Sequence, residues 1–329
     1  MRLFRSATRL VWLRRSSMMF VTLLVVLIAF PFVAGPSWVR LLSEFAISAL
    51  FSVAYNLTLG QTGLFSFGHG GLFGLAGYIL AVPVIQGVTS LPYALAGGLV
   101  LTTVAAYFMG WLCLRLTGIY FSILTLAFSQ LIWTAAWKFR NLTGGDDGLT
   151  GLRVPSFLAS PMYQYFFVLI IVAVSLTLLR RIMNSPFGYT LKAIRENPRR
   201  AASTGIHVKR YQLFAFTVSG FFTGLAGILF VLFTRGVFVE FASVSKSFEP
   251  VFAVVVGGIY SFTGPILGAG FMLAINHFIG RVTEYWPSIA GIILILVMIY
   301  LPTGVMGGLE SLIRRQASGG DSRDQDRLR

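Results

Sequence analysis

The composition of this 329-residue chain is that of an integral membrane protein and excludes an ordinary soluble domain. Hydrophobic residues make up 56% of the chain and charged residues only 11%, whereas soluble domains carry about 25% charged residues. The formal net charge is +15. Basic residues on cytoplasmic loops are the usual signature of membrane insertion, so we expect lipid, and not nucleic acid, as the surroundings.

Long runs without Asp, Glu, Lys or Arg indicate where the chain crosses the membrane. A span needs roughly 20 apolar residues, and the run at 45–114 is long enough for three, with breaks near Gly60–Gly71 and Gly87–Pro92. The pattern predicts an all-α polytopic membrane protein with about nine to ten transmembrane helices, some broken or re-entrant. The predicted spans are about 17–35, 40–58, 67–86, 91–113, 117–137, 161–180, 211–234 and 285–305, with either two short spans or a re-entrant hairpin within 249–281.

Charge asymmetry orients these spans. The first 17 residues carry five arginines, which predicts a cytoplasmic N-terminus. Six crossings then return 181–210, another basic stretch, to the cytoplasm. Residues 138–160 fall on the external side of the membrane and are predicted to form turns and no helix. Residues 1–309 form the transmembrane domain, and 310–329 are predicted to be a disordered cytoplasmic tail.

The cytoplasmic stretch 185–206, SPFGYTLKAIRENPRRAASTGI, predicts two short helices. Ser185-Pro186 and Asn197-Pro198 each pair an N-cap residue with a proline at the first helical position. We therefore predict helices at about 186–196 and 198–204, the second closed by Gly205 in the left-handed conformation.

One face of the first predicted helix is apolar. Phe187, Leu191 and Ile194 recur at helical spacing, and Lys192, Arg195 and Glu196 are predicted to point elsewhere. Two interpretations stay open from the pattern: a helix lying on anionic lipid or a helix that docks on a protein. The capped, broken shape favours docking.

Polar residues cluster inside the long apolar run at the junction of the second and third spans. Such residues usually face the protein interior or a watery cavity. His69 has three open interpretations: a hydrogen bond to a backbone carbonyl that fixes a turn, contact with a translocation pathway, or a proton relay. The candidate pathway residues here are Asn56, Gln61, Ser66 and His69.

A second candidate break lies late in the chain, where GIYSF at 258–262 echoes GLFSF at 63–67. Transporters place helix breaks at their substrate sites in related halves. Our hypothesis is that both breaks border the translocation pathway, which adds Ser261 and Thr263 to the candidate residues. Glycine pairs at G-x-x-x-G spacing predict close helix packing and no site of their own.

Five stretches in order resemble the branched-chain amino acid permeases, the LivM-type subunits of ATP-binding cassette (ABC) importers. The stretch SPFGYTLKAIRENPRRAASTGI resembles that family's cytoplasmic coupling segment. The others are NLTLGQTGLFSFGHGGLFGLAGY (56–78), TGGDDGLTGL (143–152), VVVGGIYSFTGPILGA (254–269) and YLPTGVMGGL (300–309).

The resemblance implies that 185–205, which we call the coupling segment, sits in a groove of an ATP-hydrolysing subunit. It also implies a second, LivH-type permease subunit, two ATPase subunits and a periplasmic binding protein as partners. Where the broader importer pattern has Glu-Ala-Ala, this chain has Arg200-Ala201-Ala202, so no contact is assigned there. The implied coupling residues are Phe187, Gly188, Leu191, Ala193, Arg195, Glu196, Asn197, Pro198 and Gly205.

The predicted function is therefore that of an ABC importer permease for branched-chain or related amino acids in the bacterial inner membrane. The chain has no P-loop pattern G-x-x-x-x-G-K-[ST], so we expect ATP and Mg²⁺ in partner subunits, no cofactor or metal on this chain, and no enzymatic activity of its own. The alternatives are a self-sufficient secondary transporter or channel for a small polar solute, and a urea or amide permease of the ABC class.

Overall fold

The structure is a computed structural model that describes residues 35–155, 158, 160–280, 285–300, 304 and 306. It is a helix bundle, as the composition predicts. The predicted first span and the predicted disordered tail lie outside the described residues. The helices are α1 (Pro36–Thr62), α2 (His69–Ile85), α3 (Leu91–Cys113), α4 (Ile119–Lys138), α5 (Arg140–Thr143), α6 (Pro161–Met183), α7 (Pro186–Glu196), α8 (Pro198–Ser203), α9 (Val208–Thr234), α10 (Val244–Gly257), α11 (Gly264–Ile279) and α12 (Trp286–Tyr300).

Five of these helices are long and apolar enough to cross a membrane: α1, α3, α4, α6 and α9. Shorter apolar helices are α2, α11 and the part of α12 from Gly291 to Tyr300. The region 249–281, which was predicted as two short spans or a hairpin, consists of α10 and α11 packed against each other. The chain is a multi-pass membrane protein.

Helices α1 and α9 form the centre of the bundle. Within an apolar 18-residue stretch of each helix, 72% of the α1 residues and 67% of the α9 residues are buried, compared with 28% in both α3 and α4. Large apolar side chains remain exposed on the outer helices, including Phe108, Ile123 and Ile170. Such faces suit lipid or a neighbouring subunit.

Glycines let the helices approach closely, as the G-x-x-x-G spacing predicts. A Cβ on Gly224 of α9 would lie 2.9 Å from the Thr102 side chain of α3. A Cβ on Gly268 of α11 would overlap the Ala253 carbonyl oxygen of α10. These glycines therefore lie where helices pack closely against each other.

The loop 138–160 differs from its prediction of turns alone. It contains α5, a 3-10 turn at Gly145–Asp147 and strand β1 (Leu149–Thr150), which pairs antiparallel with β2 (Gly236–Val237). The prediction was wrong because the strand's partner lies far along the chain, after α9. This two-stranded ribbon marks one end of the bundle, which we call the ribbon end.

The opposite end carries the coupling segment, since α9 starts there and finishes at the ribbon. Two helix breaks also lie at this end. The early break, 63–68, falls between α1 and α2, inside the predicted range. The late break, 258–263, falls between α10 and α11. Phe65 and Phe67 of the early break and Ile259 of the late break pack on one apolar cluster.

Candidate functional site

The coupling segment forms the two capped helices that its sequence predicts. The Ser185 hydroxyl accepts a hydrogen bond from the Gly188 amide at 3.4 Å, and the Asn197 side-chain oxygen accepts one from the Arg200 amide at 3.0 Å. Helix α7 has the predicted bounds, and α8 ends at Ser203, one residue early. Each helix therefore begins at a cap supplied by its own preceding residue.

The end of α8 is a glycine stop of the Schellman type. Gly205 has φ +86°, and its amide donates to the Ala202 carbonyl at 3.0 Å. The Ile206 amide donates to the Ala201 carbonyl at 3.3 Å. This confirms the predicted left-handed closure and gives the segment a fixed end.

The apolar stripe of α7 packs on the chain's own bundle. Leu191 and Ile194 are fully buried. The Phe187 ring stacks on Tyr211 at 5.7 Å between centroids and meets Phe214 edge-on at 5.2 Å. A Cβ on Gly188 would overlap the Met183 carbonyl oxygen. Helices α1, α6 and α9 therefore cover most of the stripe.

The opposite side of α7 is exposed, and it presents Tyr189, Ala193 and Glu196 at i, i+4 and i+7. We call these three residues the outward face. Asn197, Pro198 and Gly205 of the predicted coupling set are also exposed. Tyr189 was missed from sequence, although its helical spacing to Ala193 and Glu196 could have identified it.

Arg195 is half-buried and lies beside the apolar stripe of α7. Its Nη1 donates a hydrogen bond to the Gly60 carbonyl near the end of α1. Its guanidinium carbon lies 4.6 Å from the centroid of the Tyr260 ring in the late break. The long arginine stem lets the charge leave the helix surface and reach between the two breaks. Burial and then the charge of Arg195 lower the pKa of the neighbouring Lys192.

Asn56 and Ser261, two of the predicted pathway residues, are hydrogen-bonded to each other. The Asn56 side-chain amide donates to the Ser261 carbonyl at 3.0 Å. The Ser261 hydroxyl accepts from the Gly264 amide at 2.8 Å, where α11 begins. Thr263 is half-buried just before this start. The late break is therefore tied to α1 by a hydrogen bond between residues distant in sequence.

Ser66 and His69 belong to a different, buried network. His69 Nδ1 lies 3.2 Å from the Ser66 hydroxyl, and Nε2 lies 2.8 Å from the Ser219 hydroxyl. Ser219 in turn donates to the Ala54 carbonyl at 2.6 Å. The partners of His69 are hydroxyls and not the backbone carbonyl expected in the simplest interpretation. The network connects α1, α2 and α9.

Buried amides next to the early break keep unused acceptors. Gln61 is 3% exposed and Asn56 is fully buried. Within the part of the chain that the structure describes, Gln61 Oε1 and Asn56 Oδ1 receive no hydrogen bond. Gln61 is thus placed beside the other candidate pathway residues but forms no bond that joins it to them.

A charged pocket lies between α1, α10 and α11. Lys246 pairs with Glu249 at 2.7 Å and lies between the rings of Phe73 and Phe230. Glu44 lines the same pocket, whose volume of about 40 Å³ is enough for a few waters. No group of His, Cys, Asp or Glu residues able to hold a metal ion occurs among the described residues.

The architecture is that of a multi-pass helix bundle, broken at one end and carrying two capped helices there. The family model described as "Branched-chain amino acid transport system / permease component" matches residues 37–301. The chain belongs to this family. No solved structure matches it.

Curated relatives agree with the family. The chain is similar to the high-affinity branched-chain amino acid transport system permease protein LivM of Escherichia coli, at 26% identity over 89% of this chain and 75% of the relative. It is similar to LivH of the same system at 25% identity, over 79% and 91%. It is also similar to the autoinducer 2 import system permease protein LsrC of Salmonella paratyphi B at 27%, over 70% and 68%. Permease components of importers are therefore its relatives.

Proposed function

We propose that the chain is a permease subunit of an ABC importer that moves branched-chain or related amino acids across the bacterial inner membrane by alternating access. Family membership and the similarity to LivM and LivH support this substrate class. The chain pairs with a second permease subunit, two ATPase subunits and a periplasmic binding protein. ATP and Mg²⁺ are bound and used in the ATPase subunits.

The proposed orientation puts the coupling segment in the cytoplasm. The positive net charge of 181–210 supports it, as do the even number of predicted crossings before that segment and the basic N-terminus. The ribbon end then faces the periplasm, where the binding protein delivers substrate. Both chain termini are cytoplasmic in this arrangement.

The observation that carries the proposal is the division of α7 into two faces. Leu191 and Ile194 anchor the helix to the bundle, while Tyr189, Ala193 and Glu196 stay exposed. A helix fixed along one side and free along the other is suited to fill a groove of a partner, because burying an aromatic anchor contributes strongly to binding. The helix then transmits force, since it cannot slide relative to its own bundle.

Substitutions on the outward face test the docking directly. We expect Ala193→Glu, which puts a bulky charge where a small side chain now lies, and Tyr189→Ala to reduce co-purification of the ATPase subunits by about tenfold or more. The permease itself should stay folded, because both residues are exposed. Removing 186–204 is a poorer test, since it also deletes the buried Leu191 and Ile194.

The matched control is Asp146→Lys, a charge change at an exposed ion pair with Arg140 at the ribbon end. It should leave ATPase association unchanged. Undiminished co-purification of the ATPases with Ala193→Glu would contradict the proposed docking. Wild-type protein that purifies from native membranes without any ATPase would instead support a self-sufficient transporter.

We further propose that the two breaks border the translocation pathway. Ser66 is fully buried and Ser261 half-buried in this conformation, so access to them depends on a change of state. Cysteine at Ser66 or Ser261 should react with a small polar thiol reagent at a rate that changes with substrate and ATP. Complete protection in every state would contradict this role.

A further inference from the structure

We propose that Arg195 carries the movement of the coupling segment to both helix breaks, by holding α7, the end of α1 and the late break together as one unit throughout the transport cycle. This inference rests on the proposed function. It makes Arg195 a positioning residue that acts inside the permease and not a contact to the ATPase.

Arg195 joins three separate elements through one side chain. Its hydrogen bond to the Gly60 carbonyl is charge-assisted, a class roughly twice as strong as neutral hydrogen bonds. Its guanidinium also lies over the Tyr260 ring, a cation–π arrangement that strengthens when water is excluded. Loss of this side chain therefore removes the hydrogen bond from α7 to the end of α1 and the cation–π contact to the late break at once.

The elements that Arg195 joins already contact each other. Asn56 of α1 holds the Ser261 carbonyl, and a Cβ on Gly60 would overlap the Ile259 carbonyl oxygen. A displacement applied at Gly60 is therefore passed to the late break by direct contact. Arg195 extends the contact between α1 and the late break to α7, because it bonds to Gly60.

Other arginines of the coupling segment differ from Arg195. Arg199 and Arg200 are exposed, and no ion pair or side-chain hydrogen bond involves their guanidinium groups within the described part of the chain. They are available to a partner subunit, whereas Arg195 is engaged inside the permease. Arg200→Ala is therefore a matched control for Arg195→Ala.

The packing around Arg195 favours a permanent link over a latch that opens. Leu191 and Ile194 on the same helix are fully buried against the bundle. The Arg195 Cβ is 3.8 Å from where a Cβ on Gly63 would lie, so α7 touches the first residue of the early break. Lifting α7 away from the bundle at this point would begin to expose that buried apolar surface.

The first experiment measures amino-acid uptake and ATP hydrolysis in the reconstituted complex of both permease subunits, the ATPases and the binding protein. We expect Arg195→Ala to assemble normally and hydrolyse ATP, with uptake per ATP reduced several-fold, because the charge-assisted bond to Gly60 and the contact to Tyr260 are lost together. Tyr260→Phe, which keeps the ring face, should retain coupling, and Tyr260→Leu should lose part of it. Arg200→Ala should keep the wild-type ratio even where docking weakens.

The second experiment replaces the link by a disulfide. The distance of 3.8 Å equals the usual Cβ–Cβ separation of disulfides, and Cys113, the single native cysteine, is buried. Gly63→Cys with Arg195→Cys should be uncoupled when reduced and should regain coupling when oxidised. Gly63→Cys alone controls for the strain of a side chain at its φ of +74°.

Two results would overturn the inference. One is an unchanged ratio of uptake to hydrolysis in Arg195→Ala. The other is an oxidised double-cysteine protein that remains uncoupled, which would mean that the contact must open during the cycle. Failure of the proposed function is distinguishable, because the wild-type complex would then show no ATP-dependent amino-acid uptake at all.

Discussion

The coupling segment and the late break lie side by side but are held in different ways. In the coupling segment each N-cap bond joins residues three positions apart, as with Ser185 and Asn197. In the late break, the Ser261 carbonyl is bonded by Asn56 of α1, and Gly258 lies against Gly304. The difference indicates that local residues fix where the helices of the segment begin, whereas the break takes its position from its neighbours.

The sharpest way to disrupt the break is to push its flanking helices apart. A Cβ on Gly257 would overlap the Gly264 carbonyl oxygen, so Gly257→Ala should lower the free energy of unfolding by about 3 kcal/mol. Gly97→Ala is the matched control, because nothing lies within 4 Å of that position in α3. It should be neutral or stabilising by up to about 1 kcal/mol. Denaturant unfolding in detergent measures both, and equal midpoints would contradict the packing.

The long-range bond of the break can be removed without changing side-chain bulk greatly. Asn56→Leu leaves the Ser261 carbonyl without its donor and should destabilise the protein by about 2 kcal/mol. Asn184→Leu, at an exposed position after α6, should have almost no effect. Unfolding midpoints that match for the two variants would show that the break does not depend on α1.

The smallest expected effect is in the coupling segment, where the caps are local. Asn197→Ala removes the cap of α8 and should lower the local stability of that helix by about 1 kcal/mol, raising hydrogen exchange at the Arg200 amide about fivefold. Asn197→Asp keeps an acceptor and should preserve the protection. Global stability should hardly change, because the cap serves α8 alone. Equal exchange rates in the two variants would contradict the local nature of the cap.

Local features could be predicted from the sequence, because their causes lie within a few residues. The caps at Ser185 and Asn197, the stop at Gly205 and the breaks beside Gly63 and Gly258 follow from residue types that favour those conformations. Apolar run length located the long helices, with differences of a few residues at their ends, because helix ends depend on packing that composition does not record.

Features that depend on distant partners could not be predicted. In the sequence, Arg195 cannot be distinguished from the other charged residues of its basic segment. Its position beside Gly60 and Tyr260 depends on the fold. The pairing of β1 with β2 was missed for the same reason. His69 was identified as a polar residue in an apolar run, but its bond to Ser219 required the approach of α9 to α2.

ATP-dependent uptake of radiolabelled leucine into proteoliposomes tests the central claim most directly. The vesicles contain the complex that co-purifies with this chain. The binding protein is supplied on the ribbon-end side. We expect uptake that requires ATP on the coupling-segment side and falls about tenfold in Ala193→Glu. Leucine uptake driven by an ion gradient without ATP, and unaffected by Ala193→Glu, would contradict the account.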